Sequence, residues 1–188
     1  PEASNAQGEV QAPTLALVDH MTGDVIGAGP AYTASWCGRG RTLVRLSDQG
    51  LGMISDLPPS GTVRSYPKAV FYGIQAMACS PSSPVVALAA DTQEDADHHR
   101  RPIYLLDLDS ASESVLLNRV GELTAFESPS WSYDGRYLAA NAAQTSDDNP
   151  ISTVVVTAKG ELVGEFPALV ENPLEISFVW SGSQPMIL

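Results

Sequence analysis

Apolar positions in this chain fall into short runs broken by Gly, Pro, Ser, Asp and Asn, which predicts strands joined by tight turns. The clearest example lies at 130–140. A strand ends at Trp131, Asp134-Gly135 forms the turn, and a second strand starts at Tyr137. The Asp-Gly pair supplies the positive-φ positions that a short hairpin needs. The run from Tyr137 to Ala142 is nearly all apolar and mostly small, which suits a strand covered on both faces.

The unit recurs. Without gaps, 36–44, 79–87 and 180–188 align with 131–139, so Trp36, Cys79, Trp131 and Trp180 occupy one repeat position. The steps are 43, 52 and 49 residues, the range of propeller blades rather than helical solenoids. A second block keeps the phase: Leu15–Asp19, Ile103–Asp107 and Thr153–Thr157 each precede a turn and another short strand. Each unit therefore reads as four strands, a to d. Strands c and d come first, then units at about 32–66, 74–118 and 124–166, then a and b, sixteen strands or four blades in all. Residues 58–61 are read as the c–d turn of unit one, and residues 1–13 as a linker or flexible arm ahead of a propeller domain or partial propeller at 14–188.

The run Ser128-Pro129-Ser130-Trp131-Ser132-Tyr133-Asp134-Gly135-Arg136-Tyr137-Leu138-Ala139 resembles the WD40-like (PD40) repeat of TolB-type β-propellers, roughly P-x-W-S-P-D-G-x-x-I/L-A. Tyr133 stands where that family usually has Pro. At 77–87, Cys79 replaces Trp and Ser82-Ser83 replaces Asp-Gly; the copies at 36–44 and 180–188 are weaker. The resemblance covers most of 14–188. It implies an all-β propeller of four-stranded antiparallel blades acting as a binding scaffold, with b–c and d–a connections on one face. Two arrangements are open: a four-bladed ring closed where the end strands join the start strands, or part of a ring of about six to eight blades.

Charge narrows the partners. The net charge is −12, Lys68 and Lys159 are the only lysines, and no basic stripe exists. Nucleic acid and anionic membrane surfaces are therefore not expected partners. No apolar run approaches the ~20 residues that span a bilayer, so no direct membrane insertion is expected. The chain begins at Pro1 rather than Met and stops at Leu188 inside a strand, which reads as a processed or excised chain. Cys37 and Cys79 lie one register apart on equivalent strands. Because adjacent strand positions point to opposite faces, two buried free thiols are expected rather than a bond.

Candidate chemistry sits in the b–c connections, 91–102 in unit two and 144–150 in unit three. Asp91, Glu94, Asp95, Asp97, His98, His99, Arg100, Arg101, Asp147 and Asp148 are the candidate partner-binding residues. The alternatives are a solvated polar loop and a Ca²⁺ site, but the carboxylates lack D-x-D-x-D-G spacing, and two adjacent histidines make a poor zinc site. No metal and no cofactor are therefore expected. Trp36, Cys79, Trp131 and Trp180 read as structural repeat anchors between blades, and Ser132, Asp134 and Gly135 as turn chemistry. No G-x-S-x-G, H-E-x-x-H, Walker or paired-Cys zinc pattern occurs, so no catalytic residue is expected. The expected role is non-catalytic: a platform for a protein or peptide, a cationic one included, as a sensor or accessory domain of a larger extracytoplasmic protein. The alternatives are the substrate-filtering propeller of a prolyl-oligopeptidase-type serine peptidase, or a propeller binding a small molecule or sugar through its tryptophans.

Overall fold

A computed structural model describes residues 14–18, 20–38, 42–47, 50–55, 63–66, 71–167, 178–181 and 184–187. The expected linker at 1–13 and the c–d turn at 58–61 lie outside the described residues. Three four-stranded antiparallel sheets follow one another in strict sequence order. Unit one comprises β3 (Thr33–Cys37), β4 (Thr42–Ser47), β5 (Gly50–Ser55) and β6 (Val63–Tyr66), flanked upstream by the pair β1 (Thr14–Val18) and β2 (Val25–Pro30). Unit two comprises β7 (Gly73–Cys79), β8 (Val85–Asp91), β9 (Ile103–Asp107) and β10 (Glu113–Leu117). Unit three comprises β11 (Ala125–Trp131), β12 (Tyr137–Ala143), β13 (Ser152–Thr157) and β14 (Leu162–Pro167). A last pair, β15 (Phe178–Ser181) and β16 (Gln184–Ile187), follows. Among the described residues, β1–β2 and β15–β16 are separate two-stranded sheets, so the shared sheet that would close a four-bladed ring is not formed.

The units pack face to face, with their first strands β3, β7 and β11 adjacent. Strand β8 shows how side-chain alternation builds the core. Val86, Leu88 and Ala90 point toward unit one and pack with Val44, Leu46, Leu51, Met53 and Phe71. Ala87 and Ala89 point toward unit three and pack with Phe126, Leu138, Ala140 and Val154. Both faces of β8 are buried, so an almost continuous apolar run with a large and a small side is what this position needs.

The hairpin turn of unit three is held by Ser132 and Asp134 as turn residues, but of the expected Asp-Gly pair only Gly135 takes a positive φ. The Ser132 hydroxyl donates to Asp134 Oδ1 at 2.7 Å, and the Arg136 and Tyr137 backbone N–H groups donate to Asp134 Oδ1 and Ser132 Oγ. Gly135 has φ +69°, and a Cβ there would strike the Ser82 hydroxyl of the neighbouring unit. The turn is thus closed by its own side chains and pressed against its neighbour.

The shared repeat position does one job at three junctions. The Trp131 indole N–H donates to the Ala78 carbonyl at 3.1 Å, and that of Trp180 to the Ser130 hydroxyl at 3.2 Å. Cys79 Sγ lies 3.9 Å from the Ser35 carbonyl. Each side chain reaches back to the residue one position before its counterpart in the preceding unit. Trp36 is the exception, at 45% exposed. The sheet before it contributes two strands among the described residues, against four in the sheets before Cys79, Trp131 and Trp180.

Cys37 and Cys79 are bonded, contrary to the expectation of free thiols, with Cα atoms 4.8 Å apart. The register argument holds within one sheet and inverts between two. Neighbouring sheets meet through opposite faces, so partners across the gap must differ by an odd number of positions. Cys79 faces back like Trp131, and Cys37, one position further on, faces forward.

Candidate functional site

Because each unit runs a-b-c-d antiparallel, its b–c connection and the connection leading into its first strand lie at the same end of the sheet. This brings together 92–102, 144–151, Tyr32, residues 71–72 and residues 118–124. The two b–c loops are fastened to each other. His99 Nδ1 lies 2.8 Å from Asp147 Oδ2, and the Ser146 N–H donates to the His99 carbonyl at 2.8 Å. His99 takes φ 54°, a left-handed conformation uncommon for a residue with a Cβ, and that turn carries it to the neighbouring loop. His98 stays on its own loop, its Nδ1 2.7 Å from the Glu94 carbonyl.

The first loop contains an unexpected short helix, α1 (Gln93–Asp97). Its cap explains it. The Thr92 hydroxyl accepts from the Asp95 N–H at 3.2 Å, and Asp95 Oδ2 accepts from the Thr92 N–H at 3.3 Å, a capping box. Asp95 also accepts from the Tyr104 hydroxyl at 2.7 Å and the Arg100 guanidinium at 3.1 Å. Burial alone would raise the Asp95 pKa; the Tyr104 and Thr92 donors and the Arg100 charge outweigh it and hold it below the ordinary value. Burial and the same carboxylate push Tyr104 up to about 12. Asp95 is 7% exposed, so this candidate builds the loop rather than presenting a charge.

Arg101 is likewise structural. Its guanidinium pairs with Glu127 on β11, and its backbone bonds to Thr124 and Phe126 pin the entry of β9 onto unit three. Of the ten candidates, Glu94, Asp97, His98, His99, Asp147 and Asp148 are exposed. Asp97 accepts from the Gln93 amide and Asp148 from Thr145, neutral donors that leave their charge uncompensated. Counting Glu122 and Glu127, the face holds eight carboxylates against the three guanidiniums of Arg100, Arg101 and Arg119. Among the described residues no three His, Cys, Asp or Glu side chains converge as metal ligands.

Two exposed tyrosines also lie here, and sequence reading missed both. Tyr32 is 55% and Tyr72 65% exposed. Each directly precedes a first strand, each donates its backbone N–H at 2.7 Å to the end of strand b (Leu46 and Asp91), and each follows a buried residue, Ala31 or Phe71. The two positions are equivalent, but the β7–β8 hairpin is two residues longer than β3–β4 and carries a one-residue bulge at Ile74/Ala76, so an ungapped alignment sets Tyr32 opposite Gln75 and hides the match.

Asp91 ends β8 and is 9% exposed. Burial raises its pKa, an effect that Arg101 nearby only partly offsets. A carboxyl whose folded pKa exceeds its unfolded one costs stability as pH rises through the interval between them. Asp91→Asn is therefore expected to match the parent near pH 3.8, the ordinary aspartate value, and to become relatively more stable as pH rises above it. Urea titrations at a series of pH values check this; an Asn variant less stable near neutral pH contradicts it.

No protein-family profile matches the chain, and no curated protein sequence does. Solved structures do. The β-propeller domain of Myceliophteria thermophila Cps50 (Swd1) superposes with a TM-score of 0.60 at 14% identity, covering 93% of this chain and 57% of that one. Kuenenia stuttgartiensis hydrazine synthase superposes with a TM-score of 0.57 at 16% identity, covering 82% of this chain and 48% of that one. The fold is a β-propeller. At these identities the likeness speaks to the fold alone, and the chain spans about half the length of each of these two structures. The three complete sheets are its blades, and the face described above carries their b–c and d–a connections.

Proposed function

We propose that this propeller is a non-catalytic platform for recognising a protein or peptide, with the b–c loops of blades two and three as the contact face and a cationic segment as its partner. The observation that carries this is the brace between the loops through His99, Asp147 and Ser146. It fixes a carboxylate-rich surface in place before any partner arrives, which lowers the ordering cost of binding. A propeller fold is in general a binding scaffold, and the TolB-type repeat resemblance points the same way. The Cys37–Cys79 bond supports an oxidising, extracytoplasmic compartment. The tryptophan-based ligand reading has less support, because the Trp131 and Trp180 indole N–H groups are committed to blade junctions.

The test is a titration of the isotopically labelled chain with an arginine- and lysine-rich dodecapeptide, followed by amide shifts. Shifts are expected at 93–99 and 145–149. The variant Glu94→Gln/Asp97→Asn/Asp147→Asn/Asp148→Asn should bind about tenfold or more weakly. Shifts confined to the opposite face, at 132–136 and 157–161, would contradict the proposal.

A further inference from the structure

One carboxylate on this face is buried without a hydrogen-bond partner. Asp91 is 9% exposed and its Oδ1 meets no donor. Buried polar atoms are nearly always satisfied, so an exception asks for an explanation. The neighbouring geometry supplies one. Asp91 Oδ1 lies against Gly73, 3.1 Å from where a Cβ would stand, and Gln75 Nε2 is 3.5 Å from the same point. Gln75 is exposed, so its amide is free to swing outward from that point. Tyr72, 65% exposed, adjoins Gly73 and is tied by its backbone N–H to the Asp91 carbonyl at 2.7 Å. Two other charges act on Asp91: Asp95, of like sign, and Arg101, which pairs with Glu127 through one terminal nitrogen while its Nε is buried without a hydrogen-bond partner and makes no bond to Asp91.

An exposed aromatic ring, a bare glycine floor and an acceptor lacking its donor are what a cation on an alkyl stem requires. The charge bonds the carboxylate, the stem lies on the glycine, and the ring flanks the cation. We propose that Tyr72, Gly73 and Asp91 form a subsite for one arginine or lysine side chain of a bound peptide. This rests on the recognition-face reading and names the element that face selects. The incoming cation takes the place of the Gln75 amide and gives Asp91 Oδ1 its missing donor.

The experiment titrates the labelled chain with acetylated, amidated Gly-Gly-Arg-Gly-Gly and its lysine and citrulline counterparts. The arginine and lysine peptides should shift the amides of Tyr72, Gly73, Gln75 and Asp91. Citrulline, equal in shape but uncharged, should bind at least about tenfold more weakly. Asp91→Asn should lose about tenfold or more in affinity while melting no lower than the parent, a combination that a purely structural role does not produce. Tyr72→Ala should weaken binding severalfold without loss of fold. Equal affinity for citrulline, or unchanged binding by Asp91→Asn, overturns the subsite. Shifts at 93–99 and 145–149 but not at 72–75 overturn the subsite and leave the recognition face standing. No shift anywhere on the face overturns both.

Discussion

Replacing both Cys37 and Cys79 with serine should lower the unfolding free energy by roughly 4 kcal/mol, the loop-closure value for a bond spanning about 40 residues. The bond joins residues 42 apart in sequence and links the first strands of blades one and two. At the next junctions the equivalent position is filled by Trp131 or Trp180, each with a hydrogen bond across the gap. A serine cannot fill that space, so blade one should loosen from blade two first. Urea unfolding of parent and double variant, each with and without reductant, measures the effect. Reductant should shift the parent toward the variant and leave the variant unmoved. Parent and variant midpoints that coincide without reductant would show that the bond does not constrain the native chain.

The second large effect is expected from Phe126→Ala. Phe126 is fully buried between blades two and three, packed against Leu138, Val154 and Ile103. Its backbone N–H also holds the Arg101 carbonyl, so it lies where the β8–β9 loop is anchored. Truncation should cost about 3–5 kcal/mol, because neighbours on two rigid sheets cannot collapse into the void. Phe126→Leu should cost much less, since most of the volume is kept. If the alanine variant lost under about 1 kcal/mol in denaturant unfolding, the interface would not be close-packed there.

The strands were legible because each blade sandwiched between two others needs apolar runs closed by turn residues, and 85–91 and 137–143 supply them with little ambiguity. The short helix was harder to see, since five residues carry no periodicity. Its sign was Thr92 followed three residues later by Asp95, a cap rather than an exposed acid. Asp95 and Arg101 looked like surface charges because composition marks a polar loop without revealing which members fold inward. Tyr72 was hidden by a longer, bulged first hairpin in unit two, and the disulfide by applying a within-sheet parity rule across two sheets. The exposed acids Glu94, Asp97, Asp147 and Asp148 needed only the loop lengths to be found.

All of this depends on one register running through successive blades, because that register puts the β8–β9 and β12–β13 loops on a common face. It can be tested by moving the disulfide. Ser80 and Trp131 hold, at the junction of blades two and three, the positions that Cys37 and Cys79 hold between blades one and two. The double variant Ser80→Cys/Trp131→Cys, digested without reduction and read by mass spectrometry, should yield a peptide pair joining positions 80 and 131 alongside the native pair. Free thiols at both positions under oxidising conditions, with the native bond intact, would contradict the shared register.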